Sequence, residues 1–305
     1  MIITDPIHEY NPEITIDWLR EHCPVDHRFD RLMSIDRSII RCRDASATIS
    51  ASLFNRDTND PTGMTRTSEQ NFRKRYFASL MNNIQWLEAT DMGCDLFVEP
   101  SIADEVMRHV TSAKVNLHIM EENSLAATGM YWRFLAFDMD EEWRPDQVVL
   151  SDVDMEWEHH VPFLLEHCPV APVFYGRSED PFYVTDDCSK YTPISCGYTA
   201  FEKSALDWKF SEIVPRFFYY QCYKQFYEPR NKWNGPYPLM PHGFGNTWNL
   251  YGSDERFFAK VVYYYLKRKG CLNMLVQREC FDSPHAPEKA DMEFTEKFGG
   301  KIICV

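Results

Sequence analysis

The chain has 305 residues, 44% of them hydrophobic and 15% aromatic, which excludes a disordered chain and allows a sizeable core. Its formal net charge of -14 repels polyanions, and the longest basic cluster, "LKRKG" at 266–270, reads as the cationic last turn of a helix closed by Gly270, so no nucleic-acid or anionic-membrane surface is expected. The ten cysteines form no CxxC pair, no apolar stretch reaches transmembrane length, and the start "MIITDPIHEYNPE" lacks a signal-peptide pattern; a soluble, cytoplasmic protein with reduced thiols is expected.

In chain order, residues 1–45 read as an N-terminal extension packed on the main body, with a short helix around "ITIDWLREHC". "ATISASLF" (47–54) is β-branched and apolar and predicts the first strand, followed by a long polar loop. Thr67 and Gln70 form a capping-box pattern, and Phe72, Tyr76, Leu80, Ile84 and Leu87 recur at helical spacing, predicting a strong helix. "CDLFVEPS" (94–101) and "KVNLHIM" (114–120) predict two more strands, separated by a short helix with Ile102, Val106 and Val110 on one face. A helix over "SLAATGMYWRFLAFD" then leads to a fourth strand in "DQVVLSDVDMEW" (146–157). Strands alternating with helices predict an α/β fold with a mostly parallel central sheet flanked by helices. The second half predicts a strand and turn in "TPISCGYTAFEK", an aromatic helix in "FSEIVPRFFYYQCYKQFY", mostly core, an irregular Pro/Gly/Asn-rich loop over 229–252, a helix after Ser253, and an edge strand in "GGKIICV".

The chemistry concentrates in "DVD". Residues i and i+2 of a strand project to one side, so Asp152 and Asp154 can both face the crevice beyond the strand's carboxyl end, where open α/β sheets bind ligands. Two carboxylates a few ångströms apart cost on the order of several kcal/mol unless one is protonated or a cation lies between them. Oxygen donors without a thiolate favour Mg²⁺ or Mn²⁺. A solvated acidic turn is the plain alternative reading of D-x-D alone. An aspartyl-nucleophile phosphatase also ends a strand in D-x-D, but near the chain start and with Thr or Val where this chain has Glu156. Arg133, in an otherwise apolar helix, is expensive to bury without an anion; it either snorkels to the surface, pairs with Asp138, or reaches the site. Trp233, Tyr237 and Trp248, in the irregular loop, are candidate acceptor-binding rings.

The block "GMYWRFLAFDMDEEWRPDQVVLSDVDME" resembles the metal-binding segment of GT-A-fold glycosyltransferases, most closely small members of the group that include some from large DNA viruses. The likeness is specific over about 129–156 and looser over about 47–285. It implies a GT-A-like catalytic domain over 46–305, with 46–156 the nucleotide-binding half and 157–305 the acceptor-binding half. The implied reaction is an inverting transfer of a sugar from a nucleoside diphosphate sugar, UDP- or GDP-linked, to the hydroxyl of a glycan or glycoconjugate, with Mn²⁺ or Mg²⁺ on the diphosphate. By resemblance, Asp152, Asp154 and His285 would hold the metal, with His242 the competitor of His285; Leu53, Asn55 and Arg133, with Asp152, would contact the nucleotide; Gly197 would lie against the donor sugar. Asp254, or Glu255 in its place, would accept the acceptor's proton, although acidic residues in a first helical turn also suit the helix dipole. The reading from another class is a non-catalytic carbohydrate-binding protein on the same fold. A nucleotide-sugar pyrophosphorylase is disfavoured, since no Gly-rich phosphate loop follows the first strand.

Overall fold

The structure, a computed structural model, describes residues 14–25, 29, 31–55, 68–122, 128–173, 196–220, 254, 257–269, 273–276 and 302–304. Its strands are β1 (Ile35–Ile39), β2 (Thr48–Leu53), β3 (Gly93–Val98), β4 (Val115–Met120), β5 (Gln147–Ser151), β6 (Val170–Val173), β7 (Tyr198–Glu202), β8 (Asn273–Val276) and β9 (Ile302–Cys304). They form one nine-stranded sheet in the order β1-β4-β3-β2-β5-β7-β6-β8-β9. The sheet is mixed: β4, β3, β2 and β5 run parallel, as do β6, β8 and β9, while β1 and β7 run against their neighbours.

The helices are α1 (Ile16–His22), α2 (Ala78–Leu87), α3 (Ala103–His109), α4 (Gly129–Trp132), α5 (Trp157–Glu166), α6 (Phe210–Tyr219) and α7 (Tyr263–Arg268). The helical run ending in α2 starts at Glu69–Asn71 and passes through a wide π-helical turn at Phe72–Phe77. Its cap is Ser68, whose hydroxyl accepts the Asn71 amide; Thr67, expected in that place, lies outside the described residues. The helix expected through residue 138 tightens instead after α4 into a 3-10 segment, Arg133–Asp138.

Strands β2, β3 and β4 are buried along their whole length, as parallel strands covered on both faces must be. Their side chains alternate between two cores. Ile49, Ala51, Leu53, Leu96 and Leu117 face the side packed by Leu80, Ile84 and Leu87 of α2, Val106 of α3 and Trp157, Val161 and Leu164 of α5. Phe97, Met120, Val148 and Leu150 face the side packed by Leu19 of α1, the 129–138 segment, α6 and the helix ending in α7. The second core is aromatic: Phe134 stacks on Phe210 at 4.8 Å between ring centroids and Phe137 on Phe201 at 4.0 Å. Each fully buried large apolar side chain contributes about 1.5–3 kcal/mol, which is what holds the helices to both faces. Phe217 and Phe218 of the aromatic helix belong to this core; Tyr223 and Phe226 lie outside the described residues.

The stretch 35–39, read from sequence as part of a packed extension, is the edge strand of the main sheet, antiparallel to β4. A buried polar network ties this edge to the segment entering β5. Asp95 accepts hydrogen bonds from Asn116 Nδ2 (3.1 Å) and Arg144, and pairs with His118 Nε2 (3.0 Å), whose Nδ1 lies 2.8 Å from the Ser38 hydroxyl. Burial alone would raise the Asp95 pKa, but His118, Arg144 and Asn116 outweigh it and hold the carboxyl below its ordinary value.

Among the described residues, no helix is long and apolar enough to cross a membrane.

Candidate active site

The chain passes from β2 to β3 to β4 in one direction across the sheet, then returns to place β5 on the other side of β2. The direction of winding therefore reverses between β2 and β5, and in open α/β sheets ligands bind beyond the carboxyl ends of the strands at such a reversal. Leu53 ends β2 there, and Asp152 follows directly after β5.

Antiparallel β7 adds a third wall. Tyr198 pairs with Ser151, so the turn at Cys196 and Gly197 lies beside the start of the D-x-D. A Cβ on Gly197 would sit 2.7 Å from Asp152 Oδ2 and 3.2 Å from Met155 Sδ. Only a residue without a side chain leaves that carboxylate oxygen uncovered. Gly129 serves a similar purpose below: a Cβ there would fall 2.4 Å from the Phe54 ring, so the ring at the end of β2 can lie directly on α4.

Asp152 and Asp154 are held by a turn that Asn83 of α2 clamps. Asn83 Nδ2 donates to the Val153 carbonyl (3.0 Å) and the Met155 carbonyl (2.7 Å), and its Oδ1 accepts the Trp157 amide (3.1 Å). Trp157 Nε1 donates to the Asp152 carbonyl at 3.1 Å. His160 is occupied structurally, its Nε2 2.9 Å from the Ser151 hydroxyl and its Nδ1 2.8 Å from the Glu156 carbonyl. His159 is exposed and pairs with Glu156 at 3.1 Å.

Arginines neutralise the acids. Arg133, whose side chain is 6% exposed, donates through Nη1 to Asp152 and through Nη2 to Asp254. Burial alone would lower its pKa; the Asp152 and Asp254 charges outweigh burial and raise it, so the guanidinium stays charged. Asp138, the local partner considered from sequence, instead accepts the Phe210 (2.6 Å) and Ser211 (2.7 Å) amides at the start of α6. Arg75, in the π-helical turn, donates through Nε to Asp154 Oδ2 at 2.9 Å. Burial and the neighbouring Asp152 charge still push the Asp154 pKa up, against the pull of Arg75.

The structure thus brings Asp152, Asp154, Arg133, Asp254 and Gly197 into one cluster at the carboxyl end of β5. Leu53 and Asn55 stand at the neighbouring strand end, where the Leu53 carbonyl accepts the Glu99 amide (3.0 Å) and the Asn55 amide donates to Glu99 Oε2 (2.8 Å). Asp254 is buried with Arg133 rather than open to the crevice, and its carbonyl accepts from Cys196 Sγ at 3.3 Å. Glu255, His285, His242, Trp233, Tyr237 and Trp248 lie outside the described residues. Sequence reasoning missed Asn83 and Arg75. Asn83 carried a signal, a polar residue on the apolar stripe between Leu80 and Leu87; Arg75 carried none, because its partner is 79 positions away.

A hard divalent cation fits the donors present. Asp152 and Asp154 offer carboxylate oxygens, the Cys196 thiol beside them donates to the Asp254 carbonyl, and the lack of a side chain at Gly197 leaves room beside Asp152 Oδ2. Among the described residues no group of three His, Cys, Asp or Glu side chains is placed to hold a metal; His285 and His242, the third ligands considered from sequence, lie outside them.

An α/β protein with an acidic crevice at a sheet reversal is the class that fold and site define. No protein-family model matches the chain, and no curated protein matches it. Among solved structures it is similar to a 4-diphosphocytidyl-2C-methyl-D-erythritol synthase from Anaerococcus prevotii DSM 20548, with 10% identity, a TM-score of 0.32, and coverage of 58% of this chain and 83% of that one. So loose a likeness carries no argument about activity.

Proposed function

We propose that the protein is a metal-dependent glycosyltransferase of GT-A-like fold that moves a sugar from a nucleoside diphosphate sugar to an acceptor hydroxyl, with a glycan as the acceptor class. The observation that carries this reading is the position of Asp152 and Asp154 at the carboxyl end of β5, where the sheet reverses, on a turn that Asn83 clamps through the Val153 and Met155 carbonyls. Mn²⁺ or Mg²⁺ bound there supplies charge stabilisation for the departing diphosphate. Asp152 and Asp154 would hold the ion; Gly197 would keep the space above Asp152 open for the donor. Arg133 fixes Asp152 from below, and buried Asp254 fixes Arg133. A proton-accepting role for Asp254 requires that pair to open, so the geometry favours Asp254 as a positioning residue and leaves the proton to Glu255 or another group. Leu53 and Asn55, at the end of β2, would meet the nucleotide.

The second reading, a carbohydrate-binding protein without catalysis, draws on one observation: Asp152 and Asp154 each have a guanidinium partner within the chain, Arg133 and Arg75. A screen of UDP- and GDP-sugars for Mn²⁺-dependent donor hydrolysis separates the two. The transferase reading expects turnover that excess EDTA removes and that Asp152→Asn and Asp154→Asn abolish. Undiminished activity in EDTA or in both variants contradicts the metal role, and glycan binding with indifference to every nucleotide sugar favours the second reading.

A further inference from the structure

The two arginines of the site are not equivalent. Arg133 is buried between Asp152 and an equally buried Asp254, so moving it would strand a charge in a dry environment. Arg75 is different: its side chain is 55% exposed, it touches Asp154 through Nε at 2.9 Å, and its guanidinium lies 5.2 Å from the centroid of the Tyr76 ring. With one partner half in water, that pair exchanges at less cost than the buried pairs of Arg133. Asp154, with a side chain 19% exposed, is too desolvated to stand without a counter-charge. A divalent cation that coordinated Asp154 through Oδ2 would compete with Arg75 Nε for that oxygen, because two cations sharing one carboxylate oxygen repel each other.

We propose that Arg75 is an exchangeable residue of the crevice, which holds Asp154 while no divalent cation is bound and turns to the phosphate oxygens of a nucleoside diphosphate once a cation takes its place on Asp154. This rests on the reading above that Asp152 and Asp154 hold the cation. The position suits it: Arg75 sits in the π-helical turn Phe72–Phe77, a widened turn of the kind often found at functional sites, and touches the D-x-D through Asp154. A guanidinium suits phosphate through paired N–H donors, and one such charged hydrogen bond is worth about 1.5–3 kcal/mol. The exchange makes binding ordered, with the cation preceding or accompanying the nucleotide.

The test separates the two halves of the exchange. Mn²⁺ alone is titrated into the full chain and its Arg75→Met and Asp154→Asn variants by electron paramagnetic resonance of free Mn²⁺; UDP and GDP are then titrated by calorimetry at saturating Mn²⁺. With unchanged thermal unfolding, Arg75→Met is expected to bind Mn²⁺ about 3-fold more tightly, having lost a competitor worth up to about 1 kcal/mol. It is expected to bind whichever nucleoside diphosphate the native chain prefers about 10-fold more weakly. Arg75→Lys, which keeps the charge but not the fork, is expected between the two. Unchanged affinities in Arg75→Met, or changes of both in the same direction, overturn the exchange. If Asp154→Asn loses Mn²⁺ while Arg75→Met behaves as the native chain, the metal site stands and only the inference about Arg75 falls; if the native chain binds no Mn²⁺, both fall together.

Discussion

Removing the charge of Asp254 is expected to destabilise the protein far more than removing that of Asp152, although both carboxylates receive the same guanidinium. The side chain of Asp254 is 5% exposed and that of Asp152 50% exposed. Breaking a buried pair by deleting one partner costs about 3–5 kcal/mol, since the charge left behind is desolvated. Removing the charge of half-exposed Asp152 leaves Arg133 still paired with the buried Asp254, and the pair lost is worth about 1 kcal/mol or less. Asp254→Asn is therefore expected to cost about 3–5 kcal/mol and Asp152→Asn about 1 kcal/mol. With an unfolding entropy near 2.1 cal/mol/K per residue over 305 residues, the first corresponds to a fall in melting temperature of about 5–8 °C and the second to about 2 °C or less. Guanidinium chloride unfolding of the two variants, of Arg133→Met and of the double variant Arg133→Met/Asp254→Asn measures this directly. The double variant is expected to fall short of the summed single costs by at least about 2 kcal/mol, because no buried charge remains. Equal costs for Asp152→Asn and Asp254→Asn, or strict additivity in the double variant, would refute the assignment of Arg133 as a buried bridge.

Three further outcomes follow from the same geometry. Asn83→Leu, which removes two donors and one acceptor from the 153–157 turn, is expected to cost about 2–3 kcal/mol in denaturant unfolding and to weaken Mn²⁺ binding; a stable variant with native Mn²⁺ affinity contradicts the clamp. Gly197→Ala, whose Cβ would meet Asp152 Oδ2 at 2.7 Å, is expected to displace that carboxylate and lower Mn²⁺ affinity at least about 10-fold with less than about 1 kcal/mol lost in stability; native affinity would show that the carboxylate does not work at that position. Because the Asp95 pKa is held below its ordinary value in the folded state, its contribution is complete above about pH 4, the unfolded range, and is lost as pH falls through the folded value. The stability gap between the native chain and Asp95→Asn should hence hold above about pH 4 and narrow below it in guanidinium titrations, and a gap that stays constant below about pH 4 contradicts the network.

What could be read from sequence was what packing makes periodic. Strands β2 to β5 are buried along nearly their whole length and rich in apolar and β-branched residues, and the spacing of Leu80, Ile84 and Leu87 marks the buried side of α2. The D-x-D could be placed at a strand end for the same reason. Strand β1, "IDRSI", escaped because an edge strand with three exposed residues has no apolar pattern to display. Four-residue strands such as β6 and β8 are too short for a periodic signal. At the site, the sequence pointed to the acids and to Arg133 as a group that could reach them, but not to Arg75 or to the Asp254 end of the bridge: the pairings of Arg133 to Asp254 and Arg75 to Asp154 close over 121 and 79 positions, beyond what spacing reports.

The central claim is that Asp152 and Asp154 grip a divalent cation carrying the donor's diphosphate. A crystal grown with Mn²⁺ and UDP or GDP, with the metal located by its anomalous scattering, tests it most directly. The account predicts a manganese peak about 2–2.5 Å from an oxygen of each aspartate, with the remaining positions taken by phosphate and water. A bound nucleotide whose manganese lies away from both carboxylates, with Arg75 and Arg133 still closed over them, would contradict it.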